Sequence, residues 1–149
     1  MTRAKDLSTV ASPRPNFLVY LSVNTTAAND ATIGYNTKVY DDLNNFSTST
    51  AVFTVPAGHA GTYSFTVNAN VYNIGTGNWR VAIVTTGSNA MTAQGTFAPA
   101  LSALDTFASA SLITKLAVGD TVRAVYKLPA SGTNSGGISY NSFSGARIF

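Results

Sequence analysis

Proton transfer, metal binding and nucleophilic attack draw on a short list of side chains, and this chain is poor in them. It has no glutamate, no cysteine, a single histidine (His59) and six aspartates. General acid–base work needs a tuned His, Glu, Asp or Lys. His59 lies in Pro56-Ala-Gly-His-Ala-Gly61, a turn-forming stretch between two apolar runs, and reads as a loop residue. No Gly-x-Ser-x-Gly elbow frames a serine as a nucleophile. Asp41-Asp42 is the one acidic pair. Adjacent residues on a strand point to opposite faces, and calcium wants six to eight oxygens, so this pair reads as a turn. The glycines of Ser131–Gly137 are not followed by Gly-Lys-Ser/Thr, cradle no phosphate, and read as a long hairpin loop. Without thiols there is neither a disulfide framework nor thiolate chemistry. The expectation is a protein that is not an enzyme and holds no cofactor and no metal.

Charge narrows the partners. The formal net charge is +3 and the sequence pI about 9.3, but that basicity comes from few acids rather than many bases. Charged residues make up 10% of the chain, against roughly 25% in an average domain. Arg80, Arg123 and Arg147 fall in separate segments with no basic stripe and no interleaved aromatics, so nucleic acid is not an expected partner. Apolar runs such as Phe17–Leu21 stop after about five residues, far short of the ~20 that a membrane-spanning helix needs. The opening residues Met1 to Asp6 carry no apolar segment, so no signal peptide is expected. The sequons Asn24-Thr-Thr and Asn45-Phe-Ser then read as chance occurrences.

These side chains hang on two kinds of segment. Residues 1–16 show no periodicity and end in Ser12-Pro13-Arg14-Pro15-Asn16, where two prolines disfavour helix and hold the backbone extended. This is the expected N-terminal arm. It carries Arg3, Lys5 and Arg14 against Asp6, or +2 of the net +3. Residues 17–149 are the expected folded domain, and there the period is two. Phe17, Val19, Leu21 and Val23 share one face; so do Tyr63, Phe65, Val67, Ala69 and Val71, then Trp79, Val81 and Ile83. Val122, Ala124, Tyr126 and Leu128 repeat the pattern, as does Phe143 to Phe149. Such alternation between turn clusters means half-buried strands. Leu101–Val118 carries helix formers, yet Ala110, Leu112, Thr114 and Leu116 alternate, and the stretch is assigned to strand. The fold class is therefore all-β, a sandwich or a barrel. The large rings fill its core, with Trp79 and Tyr72 the candidates for stacking on a sugar instead.

The spacing of particular residues resembles the complement-type globular head (complement component one, subcomponent q), which shares a superfamily with tumour necrosis factor. Tyr35, five residues, Asp41, four residues, Phe46, six residues and Phe53 follow the signature of that family. Gly61, Tyr63 and Phe65 supply its Gly-x-Tyr-x-Phe. Asn78-Trp-Arg-Val-Ala-Ile-Val84, Leu116–Val122 with Gly119 and Asp120, and Ser142-Phe143-Ser-Gly145 match further segments in the same order. Tyr35 stands where phenylalanine is usual, Val67 where an aromatic is usual, and no collagen-like Gly-X-Y stalk precedes the head. The resemblance implies an antiparallel jelly-roll sandwich of about ten strands and a tight homotrimer. Some members bind calcium.

Arm and head together suggest a structural virion protein of phage or bacterial kinship. It would be a trimeric capsid decoration (cement) protein, held on the virion's capsid surface by its N-terminal arms. Its expected partners are itself and the major capsid protein or another virion protein, contacted through Arg3, Lys5, Pro13, Arg14 and Pro15. The alternative is a trimeric receptor-binding head of a phage fibre or baseplate, or a bacterial surface or spore-coat head.

Overall fold

Backbone pairing follows the two-residue period closely. The computed structural model describes residues 13–72, 77–87, 89–100, 104–129, 132–134 and 140–149. Arg3, Lys5 and most of the Asn73–Gly77 turn lie outside them. The strands are β1 (Asn16–Tyr20), β2 (Thr25–Ala27), β3 (Thr37–Asp41), β4 (Phe46–Ser47), β5 (Val52–Thr54), β6 (Gly61–Tyr72) and β7 (Gly77–Thr86). They continue with β8 (Thr92–Gln94), β9 (Ala98–Ala100), β10 (Asp105–Leu116), β11 (Thr121–Lys127), β12 (Gly132–Asn134) and β13 (Ser142–Arg147). There is no helix among the described residues.

All ladders are antiparallel and form two sheets. The first runs β2-β12-β6-β13-β1-β3, with β10 along the other edge of β6. The second runs β4-β5-β11-β7-β8, with β9 also on β7. This is the expected jelly-roll sandwich, with short extra strands beyond the ten anticipated. β6 and β10 pair without interruption from Gly61↔Leu116 to Tyr72↔Asp105. Along β10 buried and exposed residues alternate at every position, which settles the strand assignment against helix.

The inward faces meet in a cluster of rings. Phe17 lies at its centre, 5.1 Å from Phe46, from Phe53 and from Phe143. Phe65 packs 5.9 Å from both Phe53 and Tyr63. Gly145 on β13 stands opposite both Phe17 and Phe65, and a Cβ there would lie 2.6 Å from Phe17 Cε1. The absence of a side chain at Gly145 is what lets the two rings close over the strand. Trp79 fastens the sheets together: its Nε1 donates to Thr106 Oγ1 (2.8 Å), and that hydroxyl donates to the Val71 carbonyl (3.1 Å).

One connection completes a sheet without being a strand. β5 pairs with β11 only at Thr121 and Val122. Beyond that, residues 30–33 take over: Asp30 N donates to Tyr126 O, Ile33 N to Ala124 O, and Tyr126 N to Ala31 O. Asp30 sits at φ 60, so this segment bends where a strand would run on.

Several expectations change. Val23 is 54% exposed, because β1 ends at Tyr20 and the chain turns away. Phe149 is 81% exposed, since the alternation of β13 stops at Arg147. Within Ser131–Gly137, read as loop, residues 132–134 form β12 and pair with Thr25–Ala27. Pro15 belongs to the domain, not to a free arm: it is buried, and its carbonyl accepts from Arg147 N at 2.9 Å. Pro13 and Arg14 remain exposed.

Candidate assembly face

The outer face of the seven-stranded sheet is where this chain departs from an ordinary polar surface. Strand alternation turns Ser64, Thr66 and Asn68 of β6, and Ser142 and Ser144 of β13, away from the core. Their small polar groups touch across the ladders: Thr66 Oγ1 lies 3.5 Å from Ser111 Oγ, and Asn68 Nδ2 donates to Ser142 Oγ at 3.4 Å. On β10 the same phase presents Phe107 and Ile113, 54% and 67% exposed. Large apolar side chains on the solvent phase of a strand carry a hydration cost that burial against a partner would remove. The Phe107 ring stacks on Tyr140 at 6.2 Å and 19°, beside a hollow of about 260 Å³ that Asn68 and Ser109 also line.

A β-bulge extends the apolar character to the far side of the sheet. Leu18 pairs with Tyr40 and Val19 with Lys38, which leaves Val39 unpaired. Val39 and Tyr40 are 50% and 46% exposed. Tyr40 and Ile148 line a second hollow, of about 310 Å³, with Ser64, Thr66 and Ser144 on its floor. The described residues of this face offer rings, aliphatic tips and hydroxyls for packing, with Asp105 and Lys115 at the two ends of the exposed phase of β10.

The residues singled out from the sequence are mostly scaffold. Tyr35, Phe46, Phe53, Tyr63, Phe65 and Phe143 are all buried. Tyr35 Oη lies 3.3 Å from both the Asn68 and the Ser142 carbonyls, and burial raises its pKa well above the usual phenol value, with Tyr126 adding to the shift. Tyr63 donates to the His59 carbonyl at 2.7 Å. Burial pushes its pKa up to about 12, against a smaller lowering by Arg147. Gly61 is pressed against the chain's end, where Thr62 N donates to Phe149 O. Gly119 takes φ 85 in the β10–β11 turn, and Asp120 Oδ2 accepts from Ala117 N at 2.9 Å, closing that turn.

Asp41 and Asp42 do sit at a turn, and they face different tasks. Asp41 accepts from Asn45 N, Phe46 N and Lys38 Nζ at 2.9, 3.0 and 2.7 Å, while Asp42 accepts from Asn16 Nδ2. Among the described residues no three carboxylate, histidine or cysteine side chains gather as a metal site. Trp79 is fully buried, which removes it as a sugar-stacking platform; Tyr72 is 39% exposed. Sequence reasoning missed Phe107 and Ile113, although their signal was present: two large apolar residues out of phase with Ala108, Ala110 and Leu112.

Comparison with known proteins agrees with this geometry. The C1q domain family matches residues 16–146. No curated protein matches the sequence. The globular domain of zebrafish complement 1qA protein superposes with a TM-score of 0.71 at 17% identity, covering 91% of this chain and 98% of that one. Eiger TNF from S. frugiperda gives 0.72 at 11% identity over 92% and 94%. Murine APRIL gives 0.67 at 10% identity over 91% and 100%.

Proposed function

This chain belongs to the C1q domain family, and from that premise we propose that it is a non-catalytic head that self-associates as a homotrimer through the outer face of its seven-stranded sheet. The observation that carries this reading is the exposure of Phe107 and Ile113 beside the small hydroxyls of Ser64, Thr66, Ser111 and Ser144. Its size also fits. At about 3.3 Å per residue and 4.8 Å between strands, the whole seven-stranded sheet covers roughly 700 Å², close to the ~800 Å² that one partner contributes to a standard interface. Light scattering on the purified chain tests it: a trimer mass at micromolar concentration is expected, shifting to monomer in Ile113→Asp. A wild-type monomer refutes it.

Within that reading the residues before β1 tie the head to a larger shell, as a capsid decoration protein on a virion of phage or bacterial kinship. Arg14 is exposed beside the anchored Pro15, and Arg3 and Lys5 add charge earlier in the sequence. Removal of residues 1–12 should leave a folded trimer that no longer binds undecorated capsids. The alternative, a receptor-binding head, draws support from the exposed rings of Tyr72, Phe107 and Tyr140. They lie at the end of the sheet opposite Pro15. Saturable binding to host cells rather than capsids would select that alternative.

A further inference from the structure

The outer face of the second sheet carries its own chemistry. The β7–β11 register sets Arg80 directly opposite Lys127, and Arg123 lies on the same face two alternations along β11. Like charges directly opposed across a ladder repel, so each needs an explanation. Lys127 pairs with Asp30 from the connection that completes the sheet. Arg123 Nη1 donates to Thr32 Oγ1 at 3.0 Å. Among the described residues Arg80 has no carboxylate partner: its guanidinium lies 4.4 Å from the centre of the Phe97 ring, and its Nε is enclosed without a hydrogen-bond partner. Phe97 itself is 64% exposed.

A guanidinium braced by an aromatic ring keeps its planar fork free and its rotamers restricted, which suits bidentate capture of a carboxylate. Lys127 stands beside it as a second positive charge, and Asp30 is the only acid on that face among the described residues, leaving a local excess of two positive charges from three cations. Phe97 adds an apolar rim. We propose that Arg80, Lys127 and Phe97 form a docking site for an acidic protein segment, with one carboxylate on the Arg80 fork and its neighbour drawn to Lys127. The site lies on the sheet opposite the assembly face. It goes beyond the trimer reading and holds for a monomer as well.

The probe is a fluorescein-labelled oligoglutamate peptide, titrated by anisotropy at low salt against the full chain. Saturable binding is expected, weakened at least tenfold in Arg80→Gln and several-fold in Lys127→Gln and Phe97→Leu. Lys115→Gln, on the other sheet, should leave it unchanged. Arg80→Lys keeps the charge but loses the fork, and should bind nearly as poorly as Arg80→Gln; it serves as the readout where Arg80→Gln does not fold. Equal weakening by Lys115→Gln and Arg80→Gln would mean attraction by net charge alone and overturn the site. So would full-strength binding by Arg80→Lys, or a heparin fragment that binds at Arg80 while oligoglutamate does not.

Discussion

Replacing Gly145 with alanine adds one methyl group at the point where the core has least room. The new Cβ would lie 2.6 Å from Phe17 Cε1 and nearer still to the Phe65 ring, whereas carbon atoms in contact sit at about 3.5–4.0 Å. Neither ring can swing aside freely. Phe17 is wedged among Phe46, Phe53 and Phe143 at 5.1 Å each, and Phe65 lies between Tyr63 and Phe53 at 5.9 Å. Overpacking of this kind costs about 1–3 kcal/mol. For a domain of this size each kcal/mol moves the melting temperature by roughly 2–4 °C, so Gly145→Ala should melt about 2–12 °C lower. Gly34→Ala is the control, because nothing lies within 4 Å of a Cβ there. Urea unfolding followed by tryptophan fluorescence reads both variants. Adding Phe65→Leu to Gly145→Ala makes room for the methyl, so the pair should cost less than the sum of the two single changes. A Gly145→Ala midpoint equal to that of the wild type, or strict additivity of the pair, would refute the close-packing argument.

Other perturbations follow from hydrogen bonds and protonation. The pKa of Tyr63 is higher in the folded chain, about 12 against 10.0 for a free phenol, so folding favours its neutral form. That contribution is intact below pH 10 and is lost as pH rises from about 10 to 12; urea midpoints should hold level up to pH 10 and fall above it, with tyrosinate absorbance appearing as they fall. Thr106→Val removes the acceptor for Trp79 Nε1 and leaves a buried donor unmet, at a cost of about 1–3 kcal/mol. Trp79→Phe combined with Thr106→Val should cost less than the two changes added, as a thermal double-mutant cycle will show. Asp41→Ala strips the acceptor from two backbone amides and from Lys38, and should destabilise by about 1–3 kcal/mol, lowering the melting temperature by roughly 2–12 °C.

The parts of the fold that were legible in the sequence are those where one face of a strand is buried for its whole length. Tyr63 to Val71 and Ala108 to Leu116 alternate because one phase of each strand lies on the core while most of the other phase reaches the surface, and a period of two reports that directly. It does not report where a strand ends. Val23 and Phe149 continue the apolar phase of their strands, but the chain has already left the sheet, and both are exposed. β12 was illegible for a different reason. Gly132, Thr133 and Asn134 have no apolar phase, and they become strand by pairing with Thr25–Ala27, a partner more than a hundred residues away. The candidate assembly face was hidden by the same logic: Ser64, Thr66 and Ser144 look like ordinary solvent-facing residues, and only their adjacency to the exposed Phe107, Ile113 and Tyr40 sets the surface apart. Arg80 and Lys127 are far apart in sequence and become neighbours through the β7–β11 register.

The connection that completes the second sheet has a bearing on solubility. Beyond Val122, β11 is paired on that side by residues 30–33 and not by β5, so its amides and carbonyls would otherwise form an open template for another chain to extend. A true strand in that place would only move the open edge outward by one position. Residues 30–33 stop the growth instead, because Asp30 in the left-handed region breaks the extended run and its carboxylate engages Lys127. Asp30→Val puts a β-branched residue into a conformation it strongly disfavours. It should free the segment, uncover the middle of β11 and give a head that recruits its own copies strand by strand.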